Sequence, residues 1–357
     1  MDFAVSDERR LLGDSLTRLL SEKCAFETRT AMAYAAPWHS PHLWDALAEL
    51  GLFHAFLSDD HGGVGGSGFD IMTIFEPLGH ALCPEPLLGQ LMGLQLLAAA
   101  GADCDAALNG TTRLALAVDE AGSAWELDRI STRAEQQGMS WTLTGRKSMI
   151  YGGPAATDIF VAAGIEDQIG LFHIDSAAGA RHDIGLIDGG GASEMLLDAT
   201  PARLLLHNAA DAIENALDWG RLALAAEALG AMTAAFDLLI DLLKTRQQFG
   251  RPIGQFQALQ HRVVDLKVEM EQVRSITIAA AAAMGTREQS RTVAQMKALI
   301  GQTAHLIAQE TIQMQGGIAM TWEYPASHYA KRLTMIDHQL GDSAFHLARL
   351  TASGGPG

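Results

Sequence analysis

The sequence predicts a mostly helical chain with a strand-rich domain in its middle. Three observations predict it. Apolar residues recur at helical spacing from Ser6 to about Ala100, short apolar runs separated by glycine fill the stretch from Thr111 to about Leu206, and helical periodicity returns from Ala210 onward. The implied division is an N-terminal helical domain over residues 1–110, a middle β domain over 111–206 and a C-terminal four-helix bundle over 207–357.

Each element has a local reason. Leu11, Leu12, Leu16, Leu19 and Leu20 fall at three- and four-residue steps and make one apolar face of a first helix. The next starts at Ser40-Pro41, where a hydroxyl can accept an orphan backbone N–H and proline fits the first helical position, and Gly51 can close it. Gly62-Gly63-Val64-Gly65-Gly66 predicts a loop, followed by a helix near Asp70 to Ala81 and another that starts after Pro84-Glu85-Pro86-Leu87 and ends near Gly101. Strands are expected at Leu114 to Val118, Trp141 to Thr144, Ile159 to Ala163 and Gly170 to Ile174. Long helices are expected at about 212–246, 255–285, 290–315 and 325–350.

Composition narrows the function classes. The chain has 357 residues, 48% of them apolar, which is enough for a large core and two or three structural units. Forty-two acidic against 25 basic side chains give a formal charge of −17, which repels phosphate backbones and anionic lipid, so neither nucleic acid nor membrane is an expected partner. No purely apolar run reaches the ~18 residues of a membrane span and the first residues do not resemble a signal sequence, so a cytoplasmic protein is expected. Cys24, Cys83 and Cys104 are scattered and odd in number, against a disulfide framework or a zinc site, and the histidines form no metal-binding spacing, so no metal is expected.

Two stretches carry more information. Thr245-Arg246-Gln247-Gln248-Phe249-Gly250-Arg251-Pro252-Ile253 interrupts two long helices with a guanidinium, a ring, a glycine and a proline. Such a turn can clamp an anion, because an Arg fork holds a pyrophosphate through charge-assisted bonds, or it can simply end a helix. Gln313-Met314-Gln315-Gly316-Gly317 pairs side-chain amides with glycines that permit close backbone approach to a ligand, with a helix terminator as the alternative. The glycines at 62–66 lack the preceding strand of a dinucleotide fingerprint and read as an ordinary loop.

Taken in order, "LWDALAELGL" with the following "GGVGG", "FEPLGHALCPEP", "WTLTGRKSMIYGGPAATDIFVAA", "KTRQQFGRPIGQFQALQH" and "IQMQGGIAMTWEYPASHYAKR" resemble the acyl-CoA dehydrogenase family over essentially the whole chain. The RQQFG–QGG combination is the specific part. The resemblance implies a helical domain, a β-barrel-like middle domain and a four-helix bundle, FAD as cofactor, an acyl-CoA substrate, and electron-transfer flavoprotein or a similar acceptor. It implies FAD contacts for Arg246, Phe249 and Gln257, and contacts from Gln313, Gln315, Gly316 and Gly317 to the adenosine-diphosphate part of a flavin across a subunit interface. The implied chemistry is α,β-desaturation, in which a carboxylate removes the α-proton while the β-hydrogen leaves as hydride to the flavin.

The catalytic carboxylate is missing where the resemblance places it. One family position, directly before the glycine near the last helix, holds Leu340 in His338-Gln339-Leu340-Gly341-Asp342, and the alternative position holds Gly220 in Leu217-Asp218-Trp219-Gly220-Arg221-Leu222. Asp218 is about 200° around the helix from residue 220, and Glu227 shares its face roughly 10 Å away. The flavin-facing stretch reads Met149-Ile150-Tyr151-Gly152-Gly153, and a shortened loop reads Asp119-Glu120-Ala121-Gly122-Ser123-Ala124. Lost bases with retained distal FAD residues imply a homologous partner that supplies the Glu, in an α2β2-type tetramer like those acting on steroid-derived CoA thioesters. A homo-oligomer with Asp218 or Glu227 as an atypical base, or a non-catalytic binding subunit, are the other readings.

Overall fold

The computed structural model describes residues 6–138 and 140–353. The elements run α1 Asp7–Lys23, α2 Phe26–Ala33, α3 Pro41–Glu49, α4 Gly68–His80, α5 Leu87–Ala99 and α6 Asp105–Leu108, then β1 Leu114–Ala117, β2 Arg133–Gln137, β3 Ser140–Tyr151, β4 Asp158–Ile165, β5 Gln168–Asp175, β6 Ala180–Gly185 and β7 Gly191–Leu206. Then come α7 Ala210–Thr245, the short β8 Gln247–Gln248 and β9 Arg251–Pro252, α8 Gln257–Ala283, α9 Gln289–Gln315, α10 Ala326–His338 and α11 Ser343–Ser353. The fold is mostly helical with a central β region and a C-terminal helical bundle.

Two compact units make up the chain: Met1–Phe26, Ile71–Cys83 and Arg221–Gly357 form one, Glu27–Asp70 and Pro84–Gly220 the other. In the second, the strands β4, β2, β3, β7 and β5 pair in that order and β5 pairs back to β4, so the sheet closes on itself. Closure of these five strands, with β1 and β6 attached at β4 and β7, explains a barrel-like core, in which Ile159, Val161 and Ala163 meet Leu143, Ile150, Phe172, Met195 and Leu197. The helical part of this unit is tied to the sheet by Gln90, fully buried on α5. Its amide donates to the carbonyls of Ala107 (2.7 Å) and Thr112 (3.0 Å), and its oxygen accepts from Leu114 N–H (2.9 Å), so no donor is left unmet.

The capping logic of α3 is as the sequence suggests: Ser40 Oγ accepts from Leu43 N–H at 3.3 Å, Pro41 opens the helix and Gly51 lies beyond it at φ 75°. The expected strands are present, but β2, β6 and β7 are additional. β2 is Arg-Ala-Glu-Gln-Gln and largely exposed, so no apolar alternation marks it, and Pro201 interrupts the pattern of β7. The helix expected at 325–350 is two helices. Leu340 and Gly341 both adopt positive φ (57° and 95°), which no continuous α-helix contains. Long apolar α7 has the length and composition of a membrane span, although 72% of its most apolar window is buried in the protein, as a helix apolar on all sides must be in a core.

In the unit that holds α8–α11, α4 and α7 approach with no room for side chains between them. A Cβ on Gly79 would lie 1.9 Å from the Glu227 carbonyl oxygen, and one on Gly230 would lie 1.9 Å from that of Glu76. The two glycines therefore set the distance between the helices. Gly79→Ala is expected to cost on the order of 3 kcal/mol by forcing the helices apart. Thermal unfolding of the variant beside an alanine substitution at Gly13 on α1, where a Cβ meets only the Thr73 methyl at an ordinary 3.4 Å, measures the difference.

Candidate active site

At the end of α7 the chain turns through β8 and β9, and the connecting Phe249 and Gly250 have φ of 54° and 78°, as a two-residue hairpin of this hand requires. The expected interhelical turn is thus a small hairpin. It presents Phe249 with 90% of its surface bare. Behind it Phe256 packs edge-on to Phe249 (centroids 6.1 Å apart) and carries the Arg251 guanidinium 4.2 Å over its face, which stiffens the turn.

Arg246 Nη1 donates to the Gln315 carbonyl at 3.0 Å. That single bond joins the two informative stretches, 69 residues apart in sequence, at the point where Gly316 (φ 74°, ψ −152°) ends α9 in a conformation that needs glycine. Gln315 is fully buried, and neither its amide nitrogen nor its oxygen has a hydrogen-bond partner among the described residues. Arg246, Gln315 and Gly316 are therefore one cluster, with Gly317 open beside it. Gln257, the first residue of α8, and Gln313 are exposed, and no hydrogen bond joins either to the cluster among the described residues.

The two positions where a base is expected hold none. Leu340 is 6% exposed, and its carbonyl accepts from Arg221 Nε (3.0 Å) and faces His346 Nε2 (3.1 Å). The same loop is gripped by Lys297, whose wholly buried ammonium donates to the carbonyls of Ile336 (2.9 Å), Asp337 (3.0 Å) and Gly341 (2.8 Å). Burial pulls the Lys297 amine down to about 7, with Asp337 opposing the shift. Nearby carboxylates are committed: Asp337 accepts from Ser343 N–H and Oγ–H, and Asp342 from Phe345 N–H, both capping α11. Glu227 is ion-paired, with Arg332 donating to its two oxygens at 2.6 and 2.7 Å. Asp218 is buried at 2% exposure.

In the β unit, the 119–124 loop and the part of β3 that leads to Met149 meet at a buried ion pair. Lys147 Nζ donates to Glu120 Oε1 (2.7 Å) and to the Val118 carbonyl (3.1 Å). Glu120 also accepts from Ser131 N–H (2.7 Å), Ser131 Oγ–H and Thr132 N–H (3.0 Å). Burial pushes the Glu120 carboxyl up, but the Lys147 charge and these hydrogen bonds outweigh it and hold it at about 2, while burial lowers the Lys147 amine to about 8.

The N-terminal third and the C-terminal bundle match the family models "Acyl-CoA dehydrogenase, N-terminal domain" over residues 6–104 and "Acyl-CoA dehydrogenase, C-terminal domain" over 210–353. A relative from Mycobacterium tuberculosis, "Acyl-CoA dehydrogenase IpdE2", is 31% identical over 336 residues, covering 91% of each chain. The chain belongs to the acyl-CoA dehydrogenase family. The IpdE2 of Mycolicibacterium smegmatis is 27% identical and covers 98% of this chain and 99% of its own. Among solved structures, a variant of the "Tcur3481-Tcur3483 steroid ACAD" is 27% identical with a TM-score of 0.89 and 97% of each chain covered.

FAD is the cofactor of this family. The Arg246 cluster fits its phosphates: apart from the bond to Gln315, the guanidinium is uncommitted among the described residues, the Gly317 backbone is bare, and the Gln315 side-chain amide is buried without a partner among those residues. Sequence reading missed Lys297, Arg221 and the Glu120–Lys147 pair. A lysine in the otherwise apolar "QMKALIG" and one at the centre of "TGRKSMI" were the available signals, since a charge on a core-facing position must have oxygen partners.

The depressed Glu120 value has a stability consequence. Its contribution is complete above the ordinary carboxylate value of 4.5 and is lost as pH falls through about 2. Over that window the wild type should lose on the order of 3 kcal/mol that Glu120→Gln does not. Urea midpoints of both proteins measured from pH 5 to pH 2 should converge.

Proposed function

We propose that this chain is the base-less subunit of a hetero-oligomeric FAD-dependent acyl-CoA dehydrogenase, acting on a steroid-derived acyl-CoA, whose homologous partner supplies the catalytic Glu. The observation that carries this reading is the pairing of an intact Arg246–Gln315–Gly316 cluster with Gly220 and Leu340 at both base positions. Likeness to a steroid enzyme whose name couples two components supports the partner and the substrate class.

When bound, FAD supplies a hydride acceptor for the β-hydrogen of the acyl group. This chain's residues bind and orient. The Arg246 guanidinium and the backbone of Gly317 would hold the pyrophosphate, while Gly316, whose N–H caps α9 on the Ile312 carbonyl, makes the turn between them, and the bare Phe249 ring would pack against the cofactor or the neighbouring subunit. Gln257 and Gln313, exposed on the same helical unit, would add polar contacts to the adenosine end. A carboxylate from the partner would take the α-proton, and electrons would pass on to electron-transfer flavoprotein or a similar acceptor. The assembly is an α2β2-type tetramer in this reading.

Two outcomes test it. The chain should be colourless when purified alone. Co-expressed with a dehydrogenase-like neighbour, it should carry flavin that bleaches on anaerobic titration with steroid-derived acyl-CoA. Bleaching of the lone chain would sink the proposal and restore a self-sufficient enzyme with an atypical base. Flavin that stays oxidised with every acyl-CoA, even in the pair, would leave a binding subunit. In the co-expressed pair, Arg246→Ala should weaken FAD retention by about tenfold or more, the loss expected for one charge-assisted hydrogen-bonding group. Absorbance of flavin per protein after gel filtration reads this directly.

A further inference from the structure

The Glu120–Lys147 pair sits where three segments must be held in one geometry. Lys147 lies on β3 three residues before Ile150, while their partners on β7, Met195 and Ser193, are two residues apart. One extra residue is therefore accommodated on β3, at Ser148–Met149, and Met149 takes φ 49°. Such bulges redirect side chains, and a non-glycine residue in this region is a strained conformation that its surroundings must enforce.

The enforcing contacts are on both sides of the bulge. Ser148 N–H donates to the Asp119 carbonyl at 2.8 Å, which ties the bulge to the loop after β1. Lys147 Nζ reaches the Val118 carbonyl and the Glu120 carboxylate in that same loop. The other Glu120 oxygen is taken by Ser131, at the entrance to β2. Within the loop, Ser123 Oγ–H donates to the Glu120 carbonyl (3.0 Å) and Ser123 Oγ accepts from Glu120 N–H (3.3 Å), which closes a turn. Gly145, two residues before Lys147, lies against Thr132 so closely that a Cβ would be 2.5 Å from its hydroxyl. A buried ammonium and a buried carboxylate thus fasten the bulge to two loops at once, and neither charge has a solvent-exposed alternative.

We propose that Glu120 and Lys147 are positioning residues for the flavin-facing stretch Met149–Gly153, setting the bulge that aims it. The proposal rests on the reading that this chain helps to build a flavin site. Neither residue touches the cofactor in this account. They act through Ser148 and Met149, and the loss of either charge releases the bulge from the loop after β1 while β3 and β7 remain paired.

The test uses the co-expressed complex and reads the flavin, not turnover. Glu120→Gln keeps an acceptor for Thr132 or Ser131 but removes the charge, and Lys147→Met keeps the volume without the ammonium. Each should shift the flavin absorbance maximum and the midpoint potential in the same direction, with flavin content per complex unchanged. The double variant should shift them no further than either single one, because the two residues act as one unit. Arg146→Ala, which removes an exposed ion pair with Glu194 on the neighbouring strand position, should leave both readings at the wild-type values. If Lys147→Met does not fold, Glu120→Gln alone decides. Variants that lose thermal stability while the spectrum and potential stay at wild type would overturn the proposal and leave the pair a purely structural one. A wild-type complex without flavin would instead overturn the functional reading, and this inference with it.

Discussion

A charge removed from water must find oxygen or an opposite charge, and both units of this protein are organised around that requirement. Lys297 gives its three donors to the carbonyls of Ile336, Asp337 and Gly341, and Arg221 adds a bond to Leu340. Without them, the carbonyls at the end of α10 would be buried without donors, at a cost of about 1–3 kcal/mol each. In the β unit Lys147 and Glu120 meet the same demand with each other and with the backbone of two loops. Breaking one partner of such a pair is expensive, on the order of 3–5 kcal/mol, because the survivor remains buried. These contacts fix loops rather than helices.

That distinction bears on function. The 338–342 loop is held by two buried cations, Arg221 and Lys297, yet the side chain at position 340 is an aliphatic leucine. Glu227 is held by Arg332, and Asp337 and Asp342 accept the N–H groups that open α11. By contrast the Arg246 cluster is under-committed: a buried amide without partners and an exposed Phe249 are costs that a bound cofactor or a neighbouring chain would offset.

Much of this was legible in the residues. Helical spacing located α1, α3, α4, α5 and α7–α9, the Ser40-Pro41 cap marked its helix to the residue, and the apolar runs found β1, β3, β4 and β5. Those elements bury a face, so their period is written in their side chains. β2 and β6 are polar and half in water, β7 contains a proline, and the break between α10 and α11 rests on backbone dihedrals at Leu340. None of these leaves an apolar pattern to read.

The sequence by itself determined the family, the order of helical and strand-rich regions, the RQQFG and QGG stretches, and the absence of a carboxylate at positions 220 and 340. Those are properties of residue type and spacing, which survive in any conformation. Only the tertiary structure decided that Arg246 bonds the Gln315 carbonyl, that Glu227 pairs with Arg332, and that Lys147 and Glu120 form a buried pair beside the bulge of β3. Each of those joins residues 27 to 105 positions apart. Which buried charge finds which oxygen is settled by the packing that removes both from water.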